Sequence, residues 1–559
     1  MTQTGIKTLR DSAGMRWTAL LLLALAMFCS YVFMDILSPI KDLMESTRGW
    51  DSASFGRMQG AEVFLNVYVF FLIFAGIILD KMGVRFTAVL SGAVMLFGGL
   101  IKFYAVSDYF IGTSLDQWFT DNLNWKVNIP FIKDILPFAD GMPGSAKLAA
   151  IGFMFFGCGC EMAGITVSRG IVKWFKGRET ALAMGSEMAL ARLGVATCMI
   201  FSPYFAKLGG EIHVDNAVKF GVVLLCIALI MFITYFFMDK KLDSQTGEAE
   251  EKDDPFKISD LGKIFSSLGF WLVALLCVLY YSAIFPFQKY AVNMLQCNLT
   301  LTPADPNTFW GGSNVTWVQY LIMLVVAAGS FSSNFIKNNK GLKFGLMGIA
   351  VIALVVYCYM GFMRGTAETI FAVFPLLAVA ITPILGNYVD HKGKAASMLM
   401  LGSILLVVCH LTFAFVLPAV SAASPAGGVV VAYATILVLG ASFSLVPAAL
   451  WPSVPKLVDE KIIGSAYAAI FWIQNIGLGL FPTMIGNVLE SSNANNEAVI
   501  AAKAAIEAGE EGILVPYDYK WALVMLASLG IAALLISVYL RAVDKKKGYG
   551  LEQPNIKAE

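Results

Sequence analysis

Gly76-Ile77-Ile78-Leu79-Asp80-Lys81-Met82-Gly83-Val84-Arg85 ends one membrane-length apolar run, and Gly386-Asn387-Tyr388-Val389-Asp390-His391-Lys392-Gly393-Lys394 ends another. Both stretches read Gly, three residues, Asp, two residues, Gly, and then a basic residue within two positions. Because Gly and Asp also form ordinary turns, one copy would carry little weight. Two copies in matching contexts indicate an internal repeat, and therefore two related helical bundles that can rock against each other.

The composition places the chain in a lipid bilayer. Of its 559 residues, 58% are hydrophobic and only 14% are charged, whereas charged residues make up about a quarter of an ordinary soluble protein. The net charge is +1 and the basic residues are dispersed among loops, so the sequence gives no reason to expect nucleic-acid binding. The nine cysteines fall mostly inside apolar runs, and their spacing predicts neither a disulfide framework nor a metal site.

Fourteen segments are long enough to cross about 30 Å of hydrocarbon, which takes roughly 20 helical residues. They are 17–38, 57–79, 86–107, 147–170, 180–205, 217–238, 266–288, 315–336, 342–362, 367–389, 395–418, 428–455, 463–488 and 520–541. The basic groups of the N-terminus and of the stretches that follow the second, fourth, sixth, eighth, tenth, twelfth and fourteenth spans all fall on one side if both termini lie in the cytoplasm. We therefore expect a multi-pass protein with both termini cytoplasmic.

The position of the repeat shows how these helices are organised. The first copy follows the second predicted helix of the chain, but the second copy follows the fourth helix after the polar stretch 239–263. The surplus pair is therefore the hairpin 315–362, whose even number of helices preserves the topology. We predict an all-α polytopic membrane protein of two pseudo-symmetric six-helix bundles plus an inserted two-helix hairpin. The predicted parts are an N-terminal bundle at 1–238, a cytoplasmic linker at 239–263, a C-terminal bundle at 264–545 with the hairpin inside it, and a cytoplasmic tail at 546–559.

Three long loops lie on the side opposite the termini, at 108–146, 290–314 and 490–519. The last of them reads as helical from Glu497 to Glu511. We expect these loops to be solvated decoration, with a lid or a partner surface as the alternative.

Two charged side chains fall deep inside predicted helices, where a charge is costly and usually faces a cavity or a partner. Glu161 lies about 21 Å from the outer end of the fourth span, and Arg192 about 20 Å from the inner end of the fifth. In a core of about 30 Å their levels differ by around 10 Å. This offset suits a ligand with an ammonium group at one end and a carboxylate at the other, because a guanidinium binds a carboxylate through two parallel hydrogen bonds. The alternative is that Glu161 and Arg192 pair and lock two helices together.

Further polar and aromatic residues are candidates for the same cavity. Glu187 precedes Arg192 by five residues and faces another side of its helix, where a structural role or a protonatable role is open. The lesser intramembrane candidates are Asp35, Glu62, Asn66 and His410. Candidate pocket residues of the second half are Tyr280, Tyr281, Trp451 and Asn475, each of which could equally serve in packing. For conformational gating we expect the repeated residues Gly76, Asp80, Gly83, Arg85, Gly386, Asp390 and Gly393.

Several of these residues also carry a resemblance to a known family. The stretches concerned are Ser30 to Ile36, Gly76 to Arg85, Gly159 to Glu161, Trp174 to Gly177, Ala191 to Gly194, Tyr280 to Phe287, Leu450 to Pro452, and Gly464 to Tyr467 with Gln474 to Gly477. In these stretches the chain resembles the major facilitator superfamily, and within it the branch of lysosomal dipeptide transporters. The resemblance implies the major facilitator fold, with Glu161 and Arg192 holding the amino and carboxyl ends of a peptide and Trp451 lining the pocket.

The chain also departs from this pattern. The inserted hairpin, the long loops and His391 in place of a basic residue are differences, and no acidic dileucine sorting signal is evident in the N-terminal tail. We therefore expect a bacterial inner membrane rather than a lysosome.

The resulting functional prediction is a secondary-active or facilitative transporter of small zwitterionic solutes, above all dipeptides, working by alternating access. The alternative is a proton-coupled carrier of organic anions or sugar-like solutes, in which Arg192 binds the anion and Glu161 takes the proton. An enzyme or an energised pump is disfavoured, because the chain has no Gly-x-x-x-x-Gly-Lys-Ser/Thr loop, no His-Glu-x-x-His and only three histidines. We expect no catalytic residue, metal or cofactor, a small-molecule substrate, a lipid surround and a monomer, with an accessory subunit left open.

Overall fold

The computed structural model describes residues 8–125, 136–175, 179–246, 258–305, 307–333, 336, 339–458 and 463–555. Lys176 and Gly177 of the resemblance, the middle of the predicted linker 239–263 and the end of the predicted tail lie outside these residues. The described part of the chain is helix and loop, without a strand. The helices are α1 (Ala13–Met34), α2 (Lys41–Arg48), α3 (Ser52–Gly60), α4 (Phe64–Tyr68), α5 (Phe71–Val106), α6 (Ser114–Asn122), α7 (Gly144–Phe175), α8 (Thr180–Ala206), α9 (Val214–Thr246), α10 (Ile258–Ser266), α11 (Leu268–Asn298), α12 (Ser313–Ser333), α13 (Lys340–Arg364), α14 (Ala367–Phe371), α15 (Val373–Lys392), α16 (Ala395–Leu411), α17 (Leu417–Ala423), α18 (Pro425–Leu457), α19 (Ile463–Ser492), α20 (Glu497–Glu507) and α21 (Lys520–Lys547).

Helix α5 contributes to two membrane crossings, which join at a sharp reversal. Its 36 residues would extend about 54 Å as one straight helix, far more than the hydrocarbon core of about 30 Å. At Gly83 the backbone leaves the helical region, with φ 82° and ψ 166°. This conformation is open to glycine and strained for other residues. Helix α5 is therefore the end of one crossing and the whole of the next.

The contacts of α7 show the direction of the two crossings. The first crossing passes α7 at Gly157, beside Glu62, and reaches Arg169, where Asp80 forms an ion pair at 2.6 Å. The second crossing returns along α7, with Met95 beside Gly159. Thirteen described helices are long and apolar enough to span a membrane. Since Phe71–Val106 contributes to two crossings, this count is close to the fourteen crossings that the sequence predicts.

The predicted span 57–79 is not one continuous helix. It is formed by α3, a 3-10 turn at Ala61–Val63, α4 and the first turns of α5, with Phe70 in the left-handed region at φ 55°. The break has a partner in the other half of the chain. The indole nitrogen of Trp472 donates to the carbonyl oxygen of Val67 at 3.0 Å, and its ring stacks on Phe70 with centroids 5.5 Å apart. A backbone carbonyl left without its helical donor is thus satisfied by a side chain of α19.

The first and last described stretches, around Leu9 and Leu551, lie on one side of the membrane, which we call the terminal side. The amide of Leu9 donates to Gln245 at the end of α9, and the amide of Ala395 donates to the carbonyl oxygen of Leu551. The reversal at Gly83 lies on this side as well, because Arg85 pairs with Asp243 at 2.9 Å. Helices α2 and α20 lie on the opposite side.

The two halves meet tightly on the opposite side. The hydroxyl of Tyr290 lies within hydrogen-bond distance of the carbonyl oxygens of Ser52 at 2.9 Å and Pro482 at 3.0 Å, and it can donate to one of them at a time. On the terminal side, the ion pairs of Asp80 and Arg85 stay within the N-terminal half. The structure is therefore a conformation closed on the opposite side.

The hairpin α12–α13 packs beside the boundary between the halves. The hydroxyl of Thr197 in α8 donates to Tyr320 at 3.3 Å, and the ring of Phe201 lies 4.8 Å from that of Trp317. Most side chains of α13 are exposed or half-buried, with Tyr357 among the few that are buried. A helix with so much exposed apolar surface faces lipid, which is the position expected for an inserted hairpin.

Candidate functional site

Glu161 lies at the centre of α7 and forms a hydrogen bond between the two halves. The side-chain nitrogen of Asn475 in α19 donates to its carboxylate at 3.0 Å. Glu161 is half-buried and Asn475 is buried, with 2% of its surface exposed. The predicted site residues Glu161 and Asn475 are thus brought together. The carboxylate is held by an amide that a stronger donor, such as an ammonium group, can replace.

Arg192 lies among aromatic rings rather than beside an acid. Its guanidinium carbon is 5.0 Å from the ring centre of Phe443, 5.2 Å from that of Phe285 and 5.7 Å from that of Tyr31. Cation–π contacts of this kind stabilise a charge without occupying its hydrogen-bond donors. Among the described residues Arg192 makes no ion pair with Glu161 or with any other acid, so the alternative of a locked Glu161–Arg192 pair is absent from this conformation. Glu187 lies within electrostatic range of Arg192.

The aromatic candidates of the second half divide into two groups. Tyr281 stacks on Phe285 at 5.4 Å and on Trp451 at 6.4 Å, so Tyr281 and Trp451 continue the aromatic wall around Arg192. Trp451 is half-buried and stacks on Phe471 at 4.8 Å. Tyr280 points elsewhere, because it is fully buried and its hydroxyl lies 2.7 Å from Ser442 in α18. Tyr280 therefore packs inside the C-terminal half.

The repeated motif adopts a shared backbone conformation. Its second glycine has a positive φ in both copies, 82° at Gly83 and 73° at Gly393. The two aspartates differ in their partners, since Asp80 pairs with Arg169 whereas Asp390 accepts from the side chain of Asn555 at 2.9 Å. A methyl group on the first glycine, Gly76 or Gly386, would meet no atom within 4 Å. In this conformation those two glycines face open space.

The sequence analysis missed the principal charge cluster between the halves. Lys289 of α11 forms an ion pair with Asp35 at 2.8 Å and lies 3.7 Å from the carboxylate of Glu62. The side chain of Gln288 donates to Asp35 at 2.6 Å. Asp35 and Glu62 were lesser candidates, but Lys289 lies one residue beyond the predicted span 266–288. A search of the flanking turns for charged residues would have found it.

Lys102 of α5 lies near this cluster and is fully buried. Its ammonium nitrogen is 3.7 Å from the ring centre of Phe153, and no described residue offers it a hydrogen-bond acceptor. The other lesser candidates are buried core groups. Asn66 has no hydrogen-bond partner for its amide, while one ring nitrogen of His410 lies 3.0 Å from the carbonyl oxygen of Ala283.

A glycine seam closes the opposite side and was also missed. A methyl group on Gly56 would collide with the backbone of Pro482, and one on Gly60 with the backbone of Gly479. Close approach of two helix backbones requires such small residues. The spacing Gly56-x-x-x-Gly60 is a recognised signal for helix packing in membranes and was available in the sequence.

Comparison with known proteins identifies the family. The profile of the Major Facilitator Superfamily matches residues 23–482. Lysosomal dipeptide transporter MFSD1 of Danio rerio is 24% identical over 472 residues, which cover 83% of this chain and 78% of that protein. The Homo sapiens protein of the same name is 24% identical over 352 residues, which cover 62% of this chain and 60% of that protein.

Solved structures show the same fold. The nucleoside transporter NupG matches with a TM-score of 0.55 at 12% identity, covering 94% of this chain and 99% of that chain. A bacterial homologue of the human drug peptide transporters PepT1 and PepT2 matches with a TM-score of 0.55 at 11% identity, covering 95% of this chain and 99% of that chain. Since the family profile spans most of the sequence, this protein belongs to the Major Facilitator Superfamily and is a multi-pass membrane transporter.

Proposed function

We propose that this transporter carries small zwitterionic solutes, above all dipeptides, between Glu161 and Arg192. The observation that carries the proposal is the state of Arg192. Its guanidinium is half-buried and lies among Tyr31, Phe285 and Phe443. Among the described residues no acid forms an ion pair with it, although Glu187 lies within electrostatic range. A membrane-embedded cation held in this way is ready for an anionic ligand group.

Glu161 supplies the complementary end of the site. Its hydrogen bond to Asn475 joins α7 of the first half to α19 of the second half. We propose that the ammonium group of the solute takes the place of the amide of Asn475, while the carboxylate of the solute binds Arg192 through two parallel hydrogen bonds. Because residues of both halves surround the solute, its binding is coupled to their rocking motion. The similarity to lysosomal dipeptide transporters supports the choice of dipeptides as the solute.

A two-by-two binding experiment tests this proposal. The native transporter and Glu161→Gln are each titrated with a free dipeptide and with the same dipeptide acetylated at its amino end. Losing Glu161 removes the partner of the ammonium group, so the affinity for the free dipeptide should fall about a hundredfold or more. The acetylated dipeptide has no ammonium group, so its affinity should change little between native and variant.

The carboxylate end is tested by Arg192→Lys and Arg192→Ala. Both should bind the free dipeptide nearly equally badly, because an ammonium group cannot reproduce the planar fork of a guanidinium. Glu507→Gln, at an exposed position of α20, is the matched control and should bind like the native protein. Equal losses for both ligands in Glu161→Gln, or no dipeptide binding by the native protein, would favour the organic-anion carrier instead.

We further propose the organisation and setting of the chain. The halves are 1–238 and 264–545, the hairpin 315–362 is peripheral, and the protein acts as a monomer. The proposed setting is the plasma membrane of a bacterial cell. The Lys and Arg bias of the loops supports an orientation with the terminal side in the cytoplasm. Protease accessibility of a C-terminal tag in sealed right-side-out vesicles tests the orientation. Cleavage of the tag without permeabilisation would overturn it.

A further inference from the structure

The predicted loop 490–519 is not solvated decoration at its C-terminal end. Val515, Tyr517 and Tyr519 are buried, with at most 2% of their surface exposed. The hydroxyl of Tyr517 reaches two carboxylates at once, lying 2.5 Å from Oε1 of Glu45 and 2.7 Å from Oε1 of Glu490. Glu45 belongs to α2 of the first half and Glu490 to α19 of the second half. We call Glu45, Tyr517 and Glu490 the outer latch.

The outer latch contains one proton fewer than its two short contacts require. A tyrosine hydroxyl carries a single proton and can donate to only one of the two carboxylates. Burial raises the pKa of Tyr517 above its ordinary value, so the hydroxyl keeps that proton. The second contact, between the hydroxyl oxygen and a carboxylate oxygen, becomes a hydrogen bond only if that carboxyl group is protonated. Otherwise two oxygen acceptors face each other in a buried site.

The other contacts indicate which carboxyl group takes the proton. Both oxygens of Glu490 already accept hydrogen bonds, Oε1 from the amide of Ser52 at 2.9 Å and Oε2 from the ammonium group of Lys503 at 2.5 Å. Glu490 therefore stays ionised and accepts a hydrogen bond from the hydroxyl of Tyr517. In the described part of the chain Oε1 of Glu45 has no donor besides Tyr517, while its Oε2 accepts from Lys41 at 2.9 Å. A proton on Oε1 of Glu45 can be donated to the hydroxyl oxygen of Tyr517.

The surrounding charged and titratable groups come from every element packed against the latch. They are Lys41 and Asp42 of α2, Asp51 and Arg57 at α3, Tyr290 and Cys297 of α11, Lys503 of α20, and Tyr519 of the loop. Lys41 is fully buried beside Glu45, and its ammonium nitrogen lies 4.9 Å from the ring centre of Tyr517. Lys503 neutralises Glu490, and Lys41 donates to Oε2 of Glu45; neither cation donates to the short contact between Tyr517 and Oε1 of Glu45.

We propose that the outer latch is a proton-binding site, occupied by one proton shared between Glu45 and Tyr517 when the transporter is closed on the opposite side. When the halves separate there, Glu490 and Tyr517 leave Glu45, which is then solvated and loses the proton. The closed state therefore binds one more proton than the open state. Closure on the opposite side is favoured at low pH and is lost as the pH rises, independently of which solute is carried.

The test is hydrogen exchange of the full-length protein in lipid nanodiscs between pH 5 and pH 8. The hydrogen-exchange rate of the seam peptides, which cover Ser52–Gly60, is divided by the exchange rate of peptides from α13. This ratio corrects for the intrinsic effect of pH on exchange. For one bound proton, the ratio of open to closed protein should rise by up to about tenfold per pH unit. The ratio of seam exchange to α13 exchange in the native protein should therefore rise with pH by the same factor.

Two variants locate the proton. In Glu45→Gln the amide nitrogen donates to Tyr517 and the amide oxygen accepts from Lys41, so the seam should stay protected at every pH. In Tyr517→Phe the bridge is gone, so the seam should exchange faster and without the native pH dependence. Glu511→Gln, exposed on the same loop, should retain the native pH dependence. Protection of α13 shows in each case that the variant is folded.

Either of two results would overturn the proposal. One is native seam exchange that, after correction, does not change with pH. The other is a Glu45→Gln variant that folds and keeps the native pH dependence, since the proton would then reside elsewhere. If Glu45→Gln does not fold, the native profile and Tyr517→Phe still decide the question.

Discussion

Replacing Lys289 by Met should open the side of the transporter that this structure shows closed. Lys289 neutralises Asp35 at 2.8 Å and Glu62 at 3.7 Å, and it also donates to the carbonyl oxygen of Met34 at 3.2 Å. The exposed fractions of the Lys289, Asp35 and Glu62 side chains are 9%, 1% and 14%. Without the ammonium group, Asp35 remains a buried charge with only Gln288 and Ser38 as hydrogen-bond donors.

The expected magnitude follows from the burial of the pair. Removing one partner of a buried ion pair typically costs about 3–5 kcal/mol. Lys289 comes from the second half and both acids from the first, so this cost falls on the closed state, while in the open state water solvates Asp35. The ratio of open to closed protein should therefore rise about a hundredfold to a few thousandfold. Asp35→Asn should destabilise the closed state less, because Lys289 still contacts Glu62 and the carbonyl oxygen of Met34.

Hydrogen exchange of the α3 amides measures the opening free energy, and a double-mutant cycle isolates the ion pair. The variants are Lys289→Met, Asp35→Asn and the two combined, with the exposed Lys219→Met as control. The opening free energy of the double variant should fall by less than the sum of the two single decreases, with a coupling energy of about 2 kcal/mol or more. Additive losses would refute the argument that Lys289 and Asp35 hold the halves together as a pair.

The remaining predictions use contacts elsewhere in the chain. Gly60→Ala should speed exchange of the α3 amides, because the methyl group collides with the backbone of Gly479, whereas Gly76→Ala should leave that exchange unchanged; equal effects would contradict this. Gly83→Ala should lower the thermal stability by about 1–2 kcal/mol through its positive φ, and Gly386→Ala, with open space around it, should not. Lys102→Met should raise the melting temperature, because an apolar side chain replaces a buried amine without an acceptor; a lower melting temperature would count against it.

Much of the fold was predictable because it follows from local patterns. The apolar runs locate the crossings, and the repeat locates the two reversals, where Gly83 and Gly393 take positive φ values. The break at Phe70 was not predictable, since the group that satisfies the freed carbonyl of Val67 is Trp472, some four hundred positions away in the chain. Sequence periodicity carries no information about a donor contributed by the other half.

The candidate site was predictable only in part. Glu161 and Arg192 stand out because charges are rare inside membrane helices, but nothing in the sequence tells whether they pair. Tyr280 and Tyr281 are adjacent and both apolar enough for a core, yet they point about 100° apart around α11. Tyr280 bonds Ser442 inside its own bundle, whereas Tyr281 faces Trp451 and Phe285. Which of two neighbouring residues faces the wall near Arg192 depends on the rotation of the helix, which packing of the whole bundle sets.

The membrane-embedded charges divide into two kinds, and this division supports the choice of Arg192 over Lys289 for solute binding. The ammonium group of Lys289 already contacts Asp35, Glu62 and the backbone carbonyl oxygen of Met34. A solute carboxylate would therefore have to break an existing ion pair to bind it. Arg192 contacts three aromatic faces and forms no ion pair among the described residues, with Glu187 only within electrostatic range, so a carboxylate gains a charge partner without displacing one. A buried charge that is fully paired holds a conformation together, and a buried charge that is left unpaired needs a ligand. By this reasoning Lys289 controls closure of the opposite side, and Arg192 selects what is carried.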